Sequence, residues 1–167
     1  MKPRTLAVWT AVVAALLVVY FLGRRPASAP PAPAWLSIDR ESVRRIEIDR
    51  PGDAKRDTAV FDFQDGGLWI RTADTGPSSY DTRPVSELLD MLSSIGAPDL
   101  VSNSPAKHRM FDLEESTALR IRIGASTVIL AGKRSADGAF TYMRRDADPS
   151  VRAVRGFDRW RVDRLLD

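Results

Sequence analysis

The sequence predicts an α+β domain in which an antiparallel sheet of six to seven strands packs on one amphipathic helix. Short segments in which apolar and polar residues alternate, separated by turn residues, are typical of antiparallel strands with one buried face. A single helical pattern, from about residue 84 to residue 95, interrupts these segments. Since few crossover helices separate the strands, we expect two meander-like halves, one before the helix and one after it.

Three strand patterns precede the helix. In the first, Ile46 and Ile48 alternate with charged residues, and in the second Ala59, Phe61 and Phe63 share one face. The patterns cover residues 45–49, 59–63 and 68–70, and the turn signals Pro51-Gly52 and Gly66-Gly67 separate them. Such spacing predicts three strands joined by short turns.

The helix prediction over residues 84–95 rests on one apolar stripe at helical spacing. Its members are Val85, Leu88, Leu89, Leu92 and Ile95, and most of the intervening residues are serines and carboxylates. Asp81 or Thr82 can cap the start of the helix, and Gly96 followed by Pro98 favours its end. The stripe is therefore expected to face the core.

A polar segment over residues 102–116 follows, in which we expect Met110, Phe111 and Leu113 to fill the core. Further strand patterns then occur at residues 119–123, 128–130, 140–143 and 151–154. A short C-terminal helix is expected near residues 162–166. Trp69 and Trp160 lie among apolar residues, which favours packing in the core or at its rim.

The N-terminal segment predicts a single transmembrane helix within residues 1–25. From Leu6 to Leu22 no residue is charged, and 17 residues approach the length that spans a bilayer of about 30 Å. Ala27-Ser28-Ala29 offers the alternative of a cleaved signal peptide. The long apolar run and the charges of Arg24-Arg25 directly after it favour a retained anchor.

Residues 26–35 are rich in proline and alanine, which predicts a linker between the anchor and a domain at 36–167. The nine residues at 26–34 span about 28 Å in an extended polyproline conformation. The sequence leaves open whether this linker is a stiff spacer or a disordered tether. Lys2 and Arg4 face Arg24 and Arg25 across the anchor, so charge favours an extracytoplasmic domain only slightly.

Charge and composition exclude several classes of function. The net charge of +3 comes from the first 25 residues, because the rest of the chain carries 21 basic and 22 acidic groups. A nearly neutral domain lacks the cationic surface that nucleic acid binding requires, so no nucleic acid partner is expected. The chain has no cysteine and one histidine. We therefore expect no disulfide, no metal site and no cofactor.

Two short motifs resemble parts of known catalytic sites, but neither is specific enough to predict an activity. Asp74-Thr75-Gly76 matches the Asp-Thr-Gly of aspartic proteases, in which two carboxylates share a proton. A match of three residues is common by chance, and an ordinary turn is the simpler interpretation. His108 between Lys107 and Arg109 could act as a base only beside a nucleophile, so a solvated loop histidine is expected. No catalytic residue is assigned.

A cluster of arginines near the C-terminus is the one candidate interaction face. Its members are Arg144, Arg145, Arg152, Arg155, Arg159, Arg161 and Arg164. Five aspartates are interleaved with them, so a solvated surface with weak ion pairs is one interpretation. The functional interpretation is a face that binds an acidic partner, anionic lipid headgroups or an anionic glycan.

Several segments of the chain carry a resemblance to a known family. They are residues 43–48, 67–70, Ala73-Asp74, the helix at 85–92, Phe111-Asp112-Leu113 and residues 119–124. Together they resemble a bacterial family of membrane-anchored domains of unknown function, often found beside or fused to gliding-motility-type auxiliary ABC transporter components. The likeness covers about residues 38–167, in one copy where many members carry two. Members usually show a Tyr-Gly-Leu-like step where this chain has Phe111-Asp112-Leu113.

The resemblance implies an anchored, extracytoplasmic accessory domain and supplies no catalytic residues. The leading hypothesis is accordingly a non-enzymatic, single-pass subunit of the bacterial cytoplasmic membrane that binds other envelope or transporter proteins. One alternative is a membrane-tethered hydrolase that uses Asp74. Another is a binder of anionic glycan or lipid through the arginine-rich face.

Overall fold

The computed structural model describes residues 35–51, 57–64, 67–73, 76–79 and 83–166. The predicted anchor and residues 26–34 of the predicted linker lie outside these ranges. Among the described residues, no helix has both the length and the apolar character that crossing a bilayer requires. Trp35, assigned to the linker by the sequence, is buried in the core.

The described residues form one nine-stranded sheet in which every pairing is antiparallel. The strands are β1 (Arg45–Arg50), β2 (Asp57–Gln64), β3 (Leu68–Ala73), β4 (Gly76–Ser79), β5 (Asp99–Ser102), β6 (Leu119–Ile123), β7 (Thr127–Arg134), β8 (Thr141–Arg145) and β9 (Val151–Val154). The helices are α1 (Arg83–Ser93), α2 (Arg159–Asp163) and a 3-10 helix (Pro105–Phe111). This arrangement confirms the α+β class and the antiparallel sheet.

The sheet consists of two meanders that meet at its centre. The spatial order is β4-β3-β2-β1-β6-β7-β8-β9-β5, so each meander runs outward from the middle of the sheet. Ile46 pairs with Ile123 and Ile48 pairs with Ile121 across the central β1–β6 ladder. The two halves expected from the sequence correspond to β1–β4 and β6–β9, and a helix follows each of them.

One face of the sheet carries the main core beneath both helices. The apolar stripe of α1 is buried as predicted, and Met91 is buried with it. From α2 and the residues after it, Val162, Leu165 and Leu166 join the same core. Isoleucines of β1 and β6 supply its centre, because alternate residues of a strand point to the same face.

A smaller core lies on the opposite face, beneath the 3-10 helix and the turn after it. Leu113, Ala118, Leu130 and Val151 form this cluster. Asp112, directly after the 3-10 helix, has a φ of 56°, a left-handed conformation that glycine adopts freely and Asp tolerates.

The sequence missed two strands and placed two elements inaccurately. The missed strands, β4 and β5, are short edge strands without alternating apolar residues, so period-two patterning could not detect them. Helix α1 ends at Ser93, and α2 begins at Arg159 because the Asp158 carboxylate accepts a hydrogen bond from the Trp160 backbone N–H. Met110, expected in the core, is 60% exposed.

Gly132 should tolerate no side chain. A Cβ at this position of β7 would overlap the carbonyl oxygen of Phe111, which belongs to the 3-10 helix above it. We expect Gly132→Ala to lower the free energy of unfolding by about 2 kcal/mol or more, because backbone atoms must shift. Urea unfolding followed by circular dichroism measures this change.

Gly96→Ala is the matched control, because a Cβ there meets no atom within 4 Å. Its free energy of unfolding should stay within about 0.5 kcal/mol of the parent value. Equal midpoints for the two variants would show that the 3-10 helix does not pack on β7.

Candidate interaction surfaces

The seven arginines of the predicted interaction face lie in several different environments. Arg144 is buried, and its guanidinium donates hydrogen bonds to the carbonyl oxygens of Leu113, Arg145 and Asp146. Arg152 lies on the opposite face of the sheet and donates to the Pro98 carbonyl oxygen. These two arginines therefore hold loops in place instead of presenting a common surface.

The remaining arginines of the cluster differ in exposure and in partners. Arg145 pairs with Asp148 in the β8–β9 loop at 3.2 Å, and Arg155 is exposed after β9. Arg159 donates to the Gly132 carbonyl oxygen and pairs with Asp163. Arg161 of α2 and Arg164, which directly follows α2, are both exposed. The sequence could not reveal this division, because it depends on contacts made by distant segments.

Trp160 directly precedes Arg161 on α2, and its side chain faces solvent. It is 61% exposed, whereas Trp69 is 5% exposed. The prediction of core or rim packing is thus correct for Trp69 and wrong for Trp160. The Arg164 guanidinium carbon lies 4.9 Å from the centroid of the Trp160 ring, which is a cation–π geometry. We call Trp160, Arg161 and Arg164 the Trp160 patch.

Several contacts fix the helix that carries the Trp160 patch. The Asp158 carboxylate caps α2 through the Trp160 N–H, and Asp163 lies 3.8 Å from Arg50 of β1. Arg71 of β3 donates to the Leu166 carbonyl oxygen at 2.9 Å. Arg159 at the start of α2 donates to the Gly132 carbonyl oxygen of β7, so both ends of this short helical region are tied to the sheet and the backbone that carries Trp160 is held in place.

A groove of about 630 Å³ lies beside the Trp160 patch. Helix α1, the β7–β8 hairpin and the β9–α2 turn line it, with Met91, Phe140 and Phe157 among the lining residues. The Met91 sulfur accepts a hydrogen bond from the Asp158 N–H at 3.2 Å, which joins two walls of the groove. Its size lies within the range of pockets that hold small ligands or partner side chains, about 300–1,000 Å³.

Charged side chains of both signs stand around this groove. They are Glu87 and Asp90 of α1, Arg134 of β7, and Asp158 and Arg161 of the α2 region. Asp90 pairs with Arg40, Asp158 lies 3.7 Å from Arg161, and Arg134 donates to the Gly138 carbonyl oxygen. Glu87 is exposed, and its side chain makes no hydrogen bond or ion pair with another described residue.

Of the two motifs with catalytic precedents, the one at His108 lies within the described part of the chain. The Nε2 of His108 lies 2.9 Å from the Pro149 carbonyl oxygen, and this hydrogen bond ties the 3-10 helix to the β8–β9 loop. Asp74 lies outside the described residues. In the described part of the chain, no group of three histidine or carboxylate side chains has the arrangement of a metal site.

Local hydrogen bonds lower the pKa of two loop carboxylates. The hydroxyl and then the backbone N–H of Ser150 lower the pKa of Asp148 from 3.8 to about 2, with a further contribution from Arg145. In the β7–β8 hairpin, the Ser135 hydroxyl and the Ala139 N–H lower the pKa of Asp137. Both carboxylates stabilise turns, since their charged form accepts these hydrogen bonds.

The stability contributed by Asp148 should depend on pH. Because folding lowers its pKa, the contribution is complete above pH 4 and is lost as the pH falls through about 2. We expect Asp148→Ala to lower the free energy of unfolding by about 1–2 kcal/mol at pH 7. Denaturant titrations of parent and variant between pH 2 and 7 measure the difference.

Ser93→Ala serves as the control, because Ser93 is exposed at the end of α1 and its side chain does not ionise in this range of pH. Any effect of this variant on the free energy of unfolding should be small and should stay the same between pH 2 and 7. A difference between Asp148→Ala and the parent that is the same at pH 2 and pH 7 would contradict the assigned role of the carboxylate.

Comparison with known proteins identifies the family. The model of the family described as "Domain of unknown function (DUF4340)" matches residues 69–164, from β3 to the end of α2. No curated protein and no solved structure matches the chain. The resemblance to a family of domains of unknown function is thereby confirmed, while membrane anchoring and transporter association stay predictions. Since the match covers more than half of the chain, the protein belongs to the DUF4340 family.

Proposed function

We propose that the protein is a non-enzymatic, single-pass accessory subunit of the bacterial envelope, whose domain binds other proteins of a membrane complex. The apolar run at residues 6–22 supports attachment to the cytoplasmic membrane. The resemblance to domains found with auxiliary ABC transporter components supports a transporter among the partners. In this proposal the described domain lies outside the cytoplasm.

Edge strand β5 is the observation that carries this proposal. Leu100 is 53% exposed and Val101 is 40% exposed, and no described strand pairs with the outer edge of β5. An exposed edge with apolar side chains can accept a strand from a partner protein through backbone hydrogen bonds. The opposite edge strand, β4, contains Pro77, which lacks the N–H that such pairing uses.

Two features of β5 favour a single bound strand over open-ended association. The pairing with β9 shifts register between Leu100 and Ser102, and a bulge of this kind interrupts the regular edge. Asp99 adds a charge at the start of the strand. Natural edge strands use such devices to prevent aggregation, so the remaining apolar surface is suited to a specific partner.

The proposal predicts that a double Leu100→Lys, Val101→Lys variant loses its protein partners. The tagged full chain is cross-linked in its native membranes and purified, and the retained membrane proteins are quantified by mass spectrometry. We expect a reproducible set of partners with the parent and about a tenfold loss with the double variant, as for residues central to an interface.

Leu68→Lys is the matched control, because Leu68 is 59% exposed and lies in β3, away from β5. This variant should retain the partners. The proposal fails if the parent enriches no membrane protein over an untagged control, or if the double variant retains the same proteins as Leu68→Lys.

A further inference from the structure

We propose that the Trp160 patch and the adjacent groove form a self-complementary interface between two copies of this chain. In this interface the Trp160 ring of each copy enters the groove of the other copy. The inference goes beyond the binding of partners at β5, because it concerns a different surface and a different occupant.

The shape of the surface supports this pairing. A large exposed side chain and a concavity adjoin one another, since Arg161 follows Trp160 directly and lines the groove. A two-fold interface requires one patch that contains both the projecting group and the cavity that receives it. Phe140, which is half-buried, offers an apolar contact for an indole ring, and the buried side chains of Met91 and Phe157 also line the groove.

The rigidity of α2 supports the pairing as well. The Asp158 cap and the hydrogen bond from Arg71 to the Leu166 carbonyl oxygen hold the helix, so the backbone that carries Trp160 is ordered before any partner arrives. A segment whose backbone is already ordered loses less conformational entropy on binding than a flexible one. Tryptophan and arginine are also the residue types most enriched at the centres of protein interfaces.

Charge complementarity selects a second copy as the occupant. The side chain of Glu87 at the groove has no hydrogen bond or ion pair within the described part of the chain, and Arg164 moves into the groove with the Trp160 ring that it contacts. In a two-fold pair, Arg164 of each copy approaches Glu87 of the other. An anionic membrane surface is a poorer occupant, because Glu87, Asp90 and Asp158 line the same groove.

Co-purification of two differently tagged full chains, expressed together in membranes, tests the interface. Copies of the parent should co-purify, and Trp160→Ala should reduce the recovered second copy at least tenfold. Glu87→Arg and Arg164→Glu should each reduce it when both copies carry the same change. Lys107→Glu, on the exposed 3-10 helix, is the control and should leave recovery unchanged.

The decisive measurement combines the two charge variants in different chains. A Glu87→Arg copy and an Arg164→Glu copy restore opposite charges at both contacts, so recovery should return to within about twofold of the parent. Circular dichroism of each variant checks its fold. Failure of the parent copies to co-purify, normal recovery with Trp160→Ala, or no rescue by mixing would each overturn the proposal. Leu100→Lys should not affect this pairing, which separates it from the role of β5.

Discussion

The pairing of β1 with β6 at the centre of the sheet is the contact on which the rest of the structure depends. These strands are more than 60 residues apart in sequence, and they join two meanders that would otherwise each expose an edge. On one face, isoleucines of both strands lie in the main core. On the other face, Arg122 pairs with Glu47 across the ladder at 3.2 Å. Apolar burial and charge pairing therefore specify the same register.

The central ladder also determines where interaction surfaces lie. Since the meanders run outward from it, the outer strands become β4 and β5. Strand β5 presents exposed apolar side chains on an edge with all its backbone donors, whereas β4 contains Pro77. Both helices pack on the same core, which brings α1 beside the β9–α2 turn. The groove arises at this junction, and the fixed position of α2 places Trp160 next to it.

Much of the fold could be predicted because its strands alternate strictly. Burial can be predicted directly from the sequence of β1, β6 and α1, since one face of each element is apolar. The isoleucines of the two strands and the leucine stripe of α1 form these faces. Strands β4 and β5 carry no such pattern: each is four residues long and lies at an edge of the sheet. None of the side chains of β5 is buried, so that strand is under little constraint to alternate.

The candidate surfaces were harder to predict than the core. Arg144 and Arg164 have the same side chain and lie in similarly charged segments, yet one is buried against carbonyl oxygens and the other contacts an exposed indole ring. The difference depends on which distant segment covers each residue. The groove combines segments from α1 and from the end of the chain, so no local pattern predicts it. The turn at Asp112 does have a local signal in the sequence, because Asp is one of the residue types that tolerate a positive φ.

Hydrogen exchange of the full chain, followed by mass spectrometry, tests most directly whether the central ladder makes the two meanders one cooperative unit. The slowest amides of β2 and β7 lie in different halves, and each strand is adjacent to a ladder strand. If the ladder makes the two halves unfold together, the slowest amides of β2 and of β7 should exchange through the same global opening. The free energies of opening measured for the two strands should then be equal. A free energy for β2 that is lower by more than about 2 kcal/mol than that for β7 would show that the first meander opens alone, and would contradict this account.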